Sequence, residues 1–122
     1  MSGYRKLQVY EKSYKLVLEI YQETSAFPRE ELYGITGQMR RAAASIPLNI
    51  AEGYAKRESQ AEFKRYLMMA QGSSVEMSVL LDLSKDLGYI GETRYIQLST
   101  AYDEVRKMLH TLIKRVGGQS AI

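Results

Sequence analysis

The strongest constraint on the fold is a run of apolar side chains in the last third of the chain that recurs at spacings of three and four residues. The run consists of Tyr95, Leu98, Tyr102, Val105, Leu109, Leu112 and Val116. Such spacings place side chains on one face of an α-helix. A helix with one apolar face must bury it against other elements, so the chain is predicted to form packed helices.

Three earlier segments carry similar stripes. The first stripe is Leu7, Tyr10, Tyr14, Val17 and Tyr21, the second is Leu32, Ile35, Met39, Ala42, Ile46 and Ile50, and the third is Phe63, Leu67, Ala70, Ser74, Met77 and Leu81. The patterns predict helices over about residues 6–25, 29–56, 59–87 and 92–116, with 117–122 as a loose tail. Short connections make neighbouring helices antiparallel. We therefore expect an all-α, up-down-up-down antiparallel four-helix bundle that spans residues 1–122 as a single domain.

Local signals support these boundaries. Pro28 ends the first segment because the residue before a proline avoids the helical region. Ser59, followed three residues later by Glu62, forms a capping box, and Gly88 is a natural residue for ending a helix. Pro47 lies inside the second pattern, where a kink or a break is expected.

Composition excludes several classes of site. The 122 residues contain no cysteine and one histidine, so disulfides, thiolate nucleophiles and multi-histidine metal sites are excluded. We expect no metal and no cofactor. The sequence has no apolar run long enough to span a bilayer, and its first residues lack the apolar core of a signal peptide. Both observations favour a soluble, cytoplasmic protein.

The segment around Pro47 is the most informative for chemistry. Arg41, Ser45, Asn49, Glu52 and Lys56 recur at helical spacing and form a polar stripe. The favoured interpretation is structural: Ser45, Pro47, Asn49, Glu52 and Gly53 form a motif in which polar side chains compensate for the missing amide proton of proline. The alternatives are a ligand pocket and, remotely, a small-molecule enzyme that uses Arg41, Asn49 and Glu52.

The net charge is only +3, but many basic residues come in adjacent pairs. Residues 58–87 carry five acidic and three basic residues, so the other helices are expected to be more basic. Candidate phosphate contacts, without base readout, are Arg40, Arg41, Lys56, Arg57, Lys64 and Arg65. The alternative is an ordinary solvated surface. The tyrosines on the apolar stripes indicate either a wet edge of the core or a protein–protein interface.

The chain also resembles a known family. The string Gln38…Arg41-Ala42-Ala43…Ser45-Ile46-Pro47…Asn49-Ile50-Ala51-Glu52-Gly53 is similar to that of bacterial four-helix-bundle proteins first noticed as reading frames inside intervening sequences of 23S ribosomal RNA genes. The residues Ser59…Glu62-Phe63…Tyr66-Leu67 and Leu87-Gly88-Tyr89-Ile90 match its pattern as well. The resemblance implies a homopentameric ring and no established catalytic residues. It extends to the accessory variability protein of diversity-generating retroelements, which binds nucleic acid and a reverse transcriptase.

We therefore expect a non-enzymatic, self-assembling bundle that acts as a nucleic-acid-binding or adaptor module. RNA or DNA and a protein such as a reverse transcriptase are the partners implied. The alternative is a purely structural or protein-binding oligomer.

Overall fold

The computed structural model describes residues 3–118, which form four α-helices and two short 3-10 helices. The helices are α1 (Gln8–Thr24), α2 (Ile35–Ala55), α3 (Gln60–Asp86) and α4 (Glu92–Gly118). The 3-10 helices cover Gly3–Lys6 and Arg29–Glu31. Each helix packs along the next one in the chain, which confirms the predicted four-helix bundle.

The antiparallel arrangement is visible in contacts between helix ends. Tyr54, near the end of α2, packs edge-on against Phe63, near the start of α3, with ring centroids 6.1 Å apart. At the opposite end, Arg94 in the first turn of α4 contacts Glu23 near the end of α1 at 2.8 Å. All chain reversals therefore lie at the two ends of the bundle, and the helix faces between them are free of loops.

The predicted boundaries hold closely for α1, α3 and α4 but not for α2. Residues 29–31 form a 3-10 turn and the backbone at Gly34 is not helical, so α2 begins at Ile35 and not near residue 29. The expected break at Pro47 is absent, because α2 runs continuously from Ile35 to Ala55. At the end of the chain, α4 includes residues 117 and 118, which were predicted to belong to the tail, and 119–122 lie outside the described residues.

Ser59 and Gly88 mark the beginning and the end of α3, as predicted. The Ser59 hydroxyl accepts a hydrogen bond from the Glu62 amide at 3.2 Å, which satisfies one of the free donors of the first turn. After α3, Gly88 has a φ of +79°, a conformation that glycine adopts without steric cost. These two residues therefore bound α3, which covers Gln60–Asp86.

The predicted stripes of α3 and α4 face the core. Leu98, Tyr102, Val105 and Leu109 are at most 1% exposed, and every member of the predicted α3 stripe is buried. The stripe predicted for α1 is only partly buried. The residues that α1 buries fully are Val9, Ser13, Leu16, Ile20 and Thr24. Of the predicted residues, Leu7, Tyr10 and Val17 are partly buried against the core, whereas Tyr14 and Tyr21 are about half exposed. Helix α1 therefore carries a second, largely apolar face that the bundle covers only in part.

Within residues 3–118, no helix combines the length and the hydropathy that crossing a bilayer would require.

Candidate nucleic-acid interface

The fold separates the charges of the chain by end of the bundle. One end, which we call the basic end, is built from the first 3-10 helix, the end of α2, the start of α3 and the end of α4. It carries eight of the 17 Lys and Arg residues: Arg5, Lys6, Lys56, Arg57, Lys64, Arg65, Lys114 and Arg115. The opposite end, the acidic end, carries seven acidic residues and five basic ones: Glu19, Glu23, Glu30, Glu31, Asp82, Asp86 and Glu92, with Arg29, Arg40, Arg41, Lys85 and Arg94. The excess of positive charge at the basic end runs along the bundle axis and adds to the difference between helices that the sequence indicates.

Tyrosine rings hold the cations at the end of α2. The Lys56 ammonium donates a hydrogen bond to the Tyr66 hydroxyl at 3.0 Å and lies 4.9 Å from the centre of that ring. The Arg57 guanidinium lies 4.0 Å from the centre of the Tyr54 ring. The hydrogen bond to Tyr66 raises the pKa of Lys56, so this side chain stays charged at neutral pH. The tyrosine contacts therefore orient the charged groups of Lys56 and Arg57 at the end of α2.

The basic residues at this end differ in how far their charge is neutralised. Arg65 forms two hydrogen bonds to Glu62, at 3.0 and 3.2 Å, and this pairing lowers the pKa of the Glu62 carboxyl. Lys56 has only a distant partner, Glu52, at 3.8 Å. Among the described residues, neither Arg57 nor Lys64 pairs with a carboxylate. Of the four predicted residues at this end, these last two and Lys56 therefore offer the most available charge.

The structure does not bring all six predicted residues together. At a helical rise of 1.5 Å per residue, Arg41 lies about 22 Å along α2 from Lys56. Arg40 contacts the end of α1, where its Nε donates to the Thr24 hydroxyl at 2.9 Å and its guanidinium lies 4.6 Å from the centre of the Tyr21 ring. Arg40 and Arg41 therefore belong to the acidic end.

The basic end also contains residues that the prediction did not select. These are Arg5 and Lys6 before α1, and Lys114 and Arg115 near the end of α4. Lys6 and Arg115 line the same concavity between α1 and α4. They are adjacent basic pairs near helix ends, and an up-down-up-down topology places those ends together. The sequence therefore contained the information needed to include these four residues.

The motif around Pro47 forms a local hydrogen-bond network. The Asn49 side-chain amide donates to the Ser45 carbonyl at 2.8 Å and to the Ser45 hydroxyl at 2.9 Å. Ser73 of α3 donates to the same hydroxyl at 2.9 Å, which links the two helices. Glu52 is exposed and contacts Lys56 of its own helix. Gly53 is buried where α2 crosses α3, and a Cβ there would lie 2.8 Å from the Tyr66 Cβ.

The three residues considered for an enzyme do not converge. Arg41 and Glu52 lie about 16 Å apart along α2, too far to act on the same reacting group. Asn49 lies between them and uses its amide to hold the helix backbone. Among the described residues, no group of three or more His, Asp or Glu side chains is arranged to hold a metal ion.

Two exposed apolar surfaces lie on the sides of the bundle. The first, the α3 stripe, consists of Met68, Val75, Val79 and Leu83, which are 46–55% exposed, with Gly72 between the first two. The second, the α1–α2 groove, has a volume of about 330 Å³ and is lined by Tyr4, Tyr10, Tyr14, Val17, Leu18, Ala44, Pro47, Leu48 and Ala51. Contiguous exposed apolar patches are typical of surfaces that contact proteins, ligands or membranes.

Comparisons with known proteins agree with this architecture. One solved structure that resembles the chain is the crystal structure of a protein of unknown function from the S23 ribosomal protein family of Bacteroides thetaiotaomicron VPI-5482. The two share 25% sequence identity with a TM-score of 0.79, and the match covers 87% of this chain and 95% of that one. A comparison with curated protein sequences found no significant match. The family model for 23S rRNA-intervening sequence proteins matches residues 5–111, and the chain therefore belongs to that family.

Proposed function

We propose that the protein is a non-catalytic, self-assembling adaptor that binds RNA or DNA through its basic end. The observation that carries the proposal is the gathering of basic residues from the first 3-10 helix, the end of α2, the start of α3 and the end of α4 at one end of the bundle. Several of them have no carboxylate partner among residues 3–118. Polyanions bind such surfaces because each neutralised phosphate releases condensed counterions. Tyrosine contacts to Lys56 and Arg57 reduce the conformational freedom that these side chains would lose on binding.

Self-assembly is supported by the two exposed apolar surfaces. The α3 stripe and the α1–α2 groove lie on different helices, so a contact between the stripe of one copy and the groove of the next is heterologous. Heterologous contacts close into rings when the rotation between copies allows it. The resemblance to the family implies five copies. A ring axis parallel to the helices would bring every basic end to one face and multiply the positive field there.

The nucleic-acid role predicts a steep salt dependence that specific residues control. For duplex DNA, the logarithm of the binding constant falls with the logarithm of salt concentration by about 0.9 per neutralised phosphate. Removing Lys56 and Arg57 together, as Lys56→Gln with Arg57→Gln, should therefore lower the slope by about 2 for each protomer that contacts the strand. Fluorescence anisotropy with a labelled 20-base-pair duplex and an RNA hairpin measures this slope.

The matched control removes the same charge elsewhere. Arg41→Gln combined with Lys85→Gln deletes two positive charges from the acidic end and should leave the slope unchanged. Equal slopes for the two double variants would refute the assignment to the basic end, and an absence of binding at low salt would refute the nucleic-acid role altogether.

Assembly is tested independently through the α3 stripe. Val79, which is 54% exposed, is replaced by lysine, and Thr100→Lys on the exposed side of α4 is the control. Sedimentation should show a multiple of 13.9 kDa for the wild type and the control, and a reduced mass for Val79→Lys. A monomeric wild type at micromolar concentration would refute the self-assembly.

A second candidate function is a purely structural or protein-binding oligomer, which the large exposed apolar area favours. In that case Met68, Tyr14 and their neighbours contact a protein, and the basic end serves solubility. A pull-down from nuclease-treated lysate that recovers one defined protein, together with flat salt dependence, would select this function. By analogy with the accessory variability protein, a reverse transcriptase is the first partner to test. A small-molecule enzyme around Arg41, Asn49 and Glu52 is not proposed, because these residues do not converge.

A further inference from the structure

A concavity at the acidic end contains positive charge without a counter-charge. It lies between the end of α1 and the first turns of α2, has a volume of about 420 Å³, and is lined by residues that include Thr24, Phe27, Arg29, Leu32, Thr36 and Arg40. Pockets that take small molecules have volumes of about 300–1,000 Å³. The concavity is therefore large enough for a small organic ligand, and it is separate from the basic end.

Arg40 is held in place but is not neutralised. Its Nε donates to the Thr24 hydroxyl at 2.9 Å, one terminal nitrogen lies 3.4 Å from the Tyr21 carbonyl, and its central carbon lies 4.6 Å from the centre of the Tyr21 ring. These contacts orient the side chain and leave further N–H groups free. Within the part of the chain that the structure describes, neither Arg40 nor Arg29 pairs with a carboxylate.

The nearby carboxylates are engaged elsewhere or lie outside the lining. Glu31 accepts a hydrogen bond from the Tyr89 hydroxyl at 2.8 Å and contacts the Ile35 amide at 3.4 Å. Neither Glu31 nor Glu30 lines the concavity. The two arginines therefore present their charge to this space without an acidic side chain between them.

Thr36 adds a second, independent sign of an absent partner. Its side chain lines the concavity and is 3% exposed, and no hydrogen-bond partner for its hydroxyl is found among residues 3–118. The oxygen itself is closed off from solvent, so a ligand in the concavity reaches it after rotation about χ1, for which threonine in a helix has two rotamers. Buried hydroxyls are nearly always hydrogen-bonded, because an unpartnered one loses its interaction with water without replacement. The neighbouring Thr24 hydroxyl, by contrast, donates to the Ile20 carbonyl and accepts from Arg40.

We infer that this concavity binds a small phosphate ester. A tetrahedral phosphate accepts hydrogen bonds from several directions and suits two arginines and a hydroxyl better than a planar carboxylate does. Phe27, Pro28 and Leu32 form an apolar wall beside these donors, which fits the organic part of an ester. The ester is either a free metabolite or the terminal phosphate of a nucleic-acid strand, and both present the same group to the site.

Calorimetric titration with phenyl phosphate tests the site directly. Phenyl phosphate should bind more tightly than inorganic phosphate, and benzyl alcohol, which lacks the phosphate, should not bind. A dinucleotide with a 5′-phosphate is then compared with its 5′-hydroxyl form. Binding of the phosphorylated form identifies a strand terminus as the source, and binding of phenyl phosphate alone identifies a free ester.

Two variants locate the binding. Thr36→Val and Arg29→Gln should each weaken phenyl phosphate binding by about five- to tenfold. Thr36→Val should at the same time raise the thermal midpoint, because it deletes an unpartnered buried hydroxyl, so lost binding cannot reflect lost folding. Arg41→Gln, which lies outside the lining, is the control and should bind normally. Unchanged affinity in both lining variants, or no preference for phenyl phosphate over benzyl alcohol, would overturn the inference. The Lys56→Gln/Arg57→Gln protein should bind phenyl phosphate normally, which separates this test from that of the proposed function.

Discussion

Two helical glycines should respond in opposite ways to alanine substitution. Gly53 is buried between α2 and α3, and a Cβ built there would lie 2.8 Å from the Tyr66 Cβ and 3.3 Å from the Phe63 carbonyl oxygen. Gly72 is exposed in the middle of α3, and a Cβ there would meet nothing within 4 Å. The gain in helix propensity is similar at both positions, so the difference between the variants measures the steric term.

The magnitudes follow from this geometry. Alanine is favoured over glycine inside a helix by about 1 kcal/mol, so Gly72→Ala should raise the free energy of unfolding by about that amount. Overpacking a core costs about 1–3 kcal/mol, and the upper part of this range applies at Gly53 because two of the three atoms that the Cβ would meet, the Tyr66 Cβ and the Phe63 carbonyl oxygen, move only with the α3 backbone. Gly53→Ala should therefore lower the free energy of unfolding by about 1–2 kcal/mol, a difference between the variants of about 2–3 kcal/mol.

Urea unfolding followed by circular dichroism measures both values. The titrations are run at two protein concentrations, because assembly makes the midpoint depend on concentration. Gly72 lies on the α3 stripe, so the sedimenting mass of its alanine variant is measured as well, to separate an effect on assembly from one on helix propensity. A Gly53→Ala protein as stable as the wild type would refute the steric reasoning, and a destabilised Gly72→Ala monomer would refute the propensity reasoning.

Three further predictions concern buried polar groups and ion pairs. Burial raises the pKa of Tyr102, so above about pH 10 the unfolded chain loses this proton while the native state keeps it, and stability falls as pH rises. Tyr102→Phe should reduce that fall by up to about 1.4 kcal/mol per pH unit in urea titrations, and an identical pH profile would contradict this. Asn49→Ala should lower the free energy of unfolding by about 0.5–1.5 kcal/mol, because it removes the hydrogen bonds to the Ser45 carbonyl and hydroxyl. Glu52 is exposed, so Glu52→Gln should change that free energy by less than about 0.5 kcal/mol. If Glu52→Gln instead changes the sedimenting mass, this carboxylate serves assembly. Arg94→Ala, which removes contacts to two carboxylates of α1, should lower the thermal midpoint in low salt and have a smaller effect at 1 M salt; equal effects would argue against an electrostatic contribution.

Several features of the bundle could be predicted because they depend on local sequence. The buried faces of α3 and α4 follow from apolar residues at spacings of three and four, because a helix places such residues on one face whatever surrounds it. Ser59 and Gly88 act on the backbone beside them, so they mark helix ends without information about the rest of the chain. The sequence also showed that Arg40 and Arg41 form an adjacent basic pair. It did not show that Arg40 contacts Thr24 and Tyr21 of α1, because that contact depends on how the helices pack.

The buried face of α1 depended on the other helices. This helix has apolar residues on two adjacent faces, one with Leu16 and Ile20 and one with Tyr14 and Tyr21, and periodicity alone selected the less buried one. Packing of α2 and α4 decided between them, because shape complementarity is a property of several helices together.

The sequence by itself determined that there are four amphipathic helices, and it determined where most of them begin and end. The tertiary structure alone decided which charges act together. Lys56 and Arg57 lie near Lys6 and Arg115 because antiparallel helices return to the same end, whereas Arg41, only 15 residues before Lys56, lies near the other end. Distance along a rigid helix is set by its rise, and proximity between helices is set by how they pack.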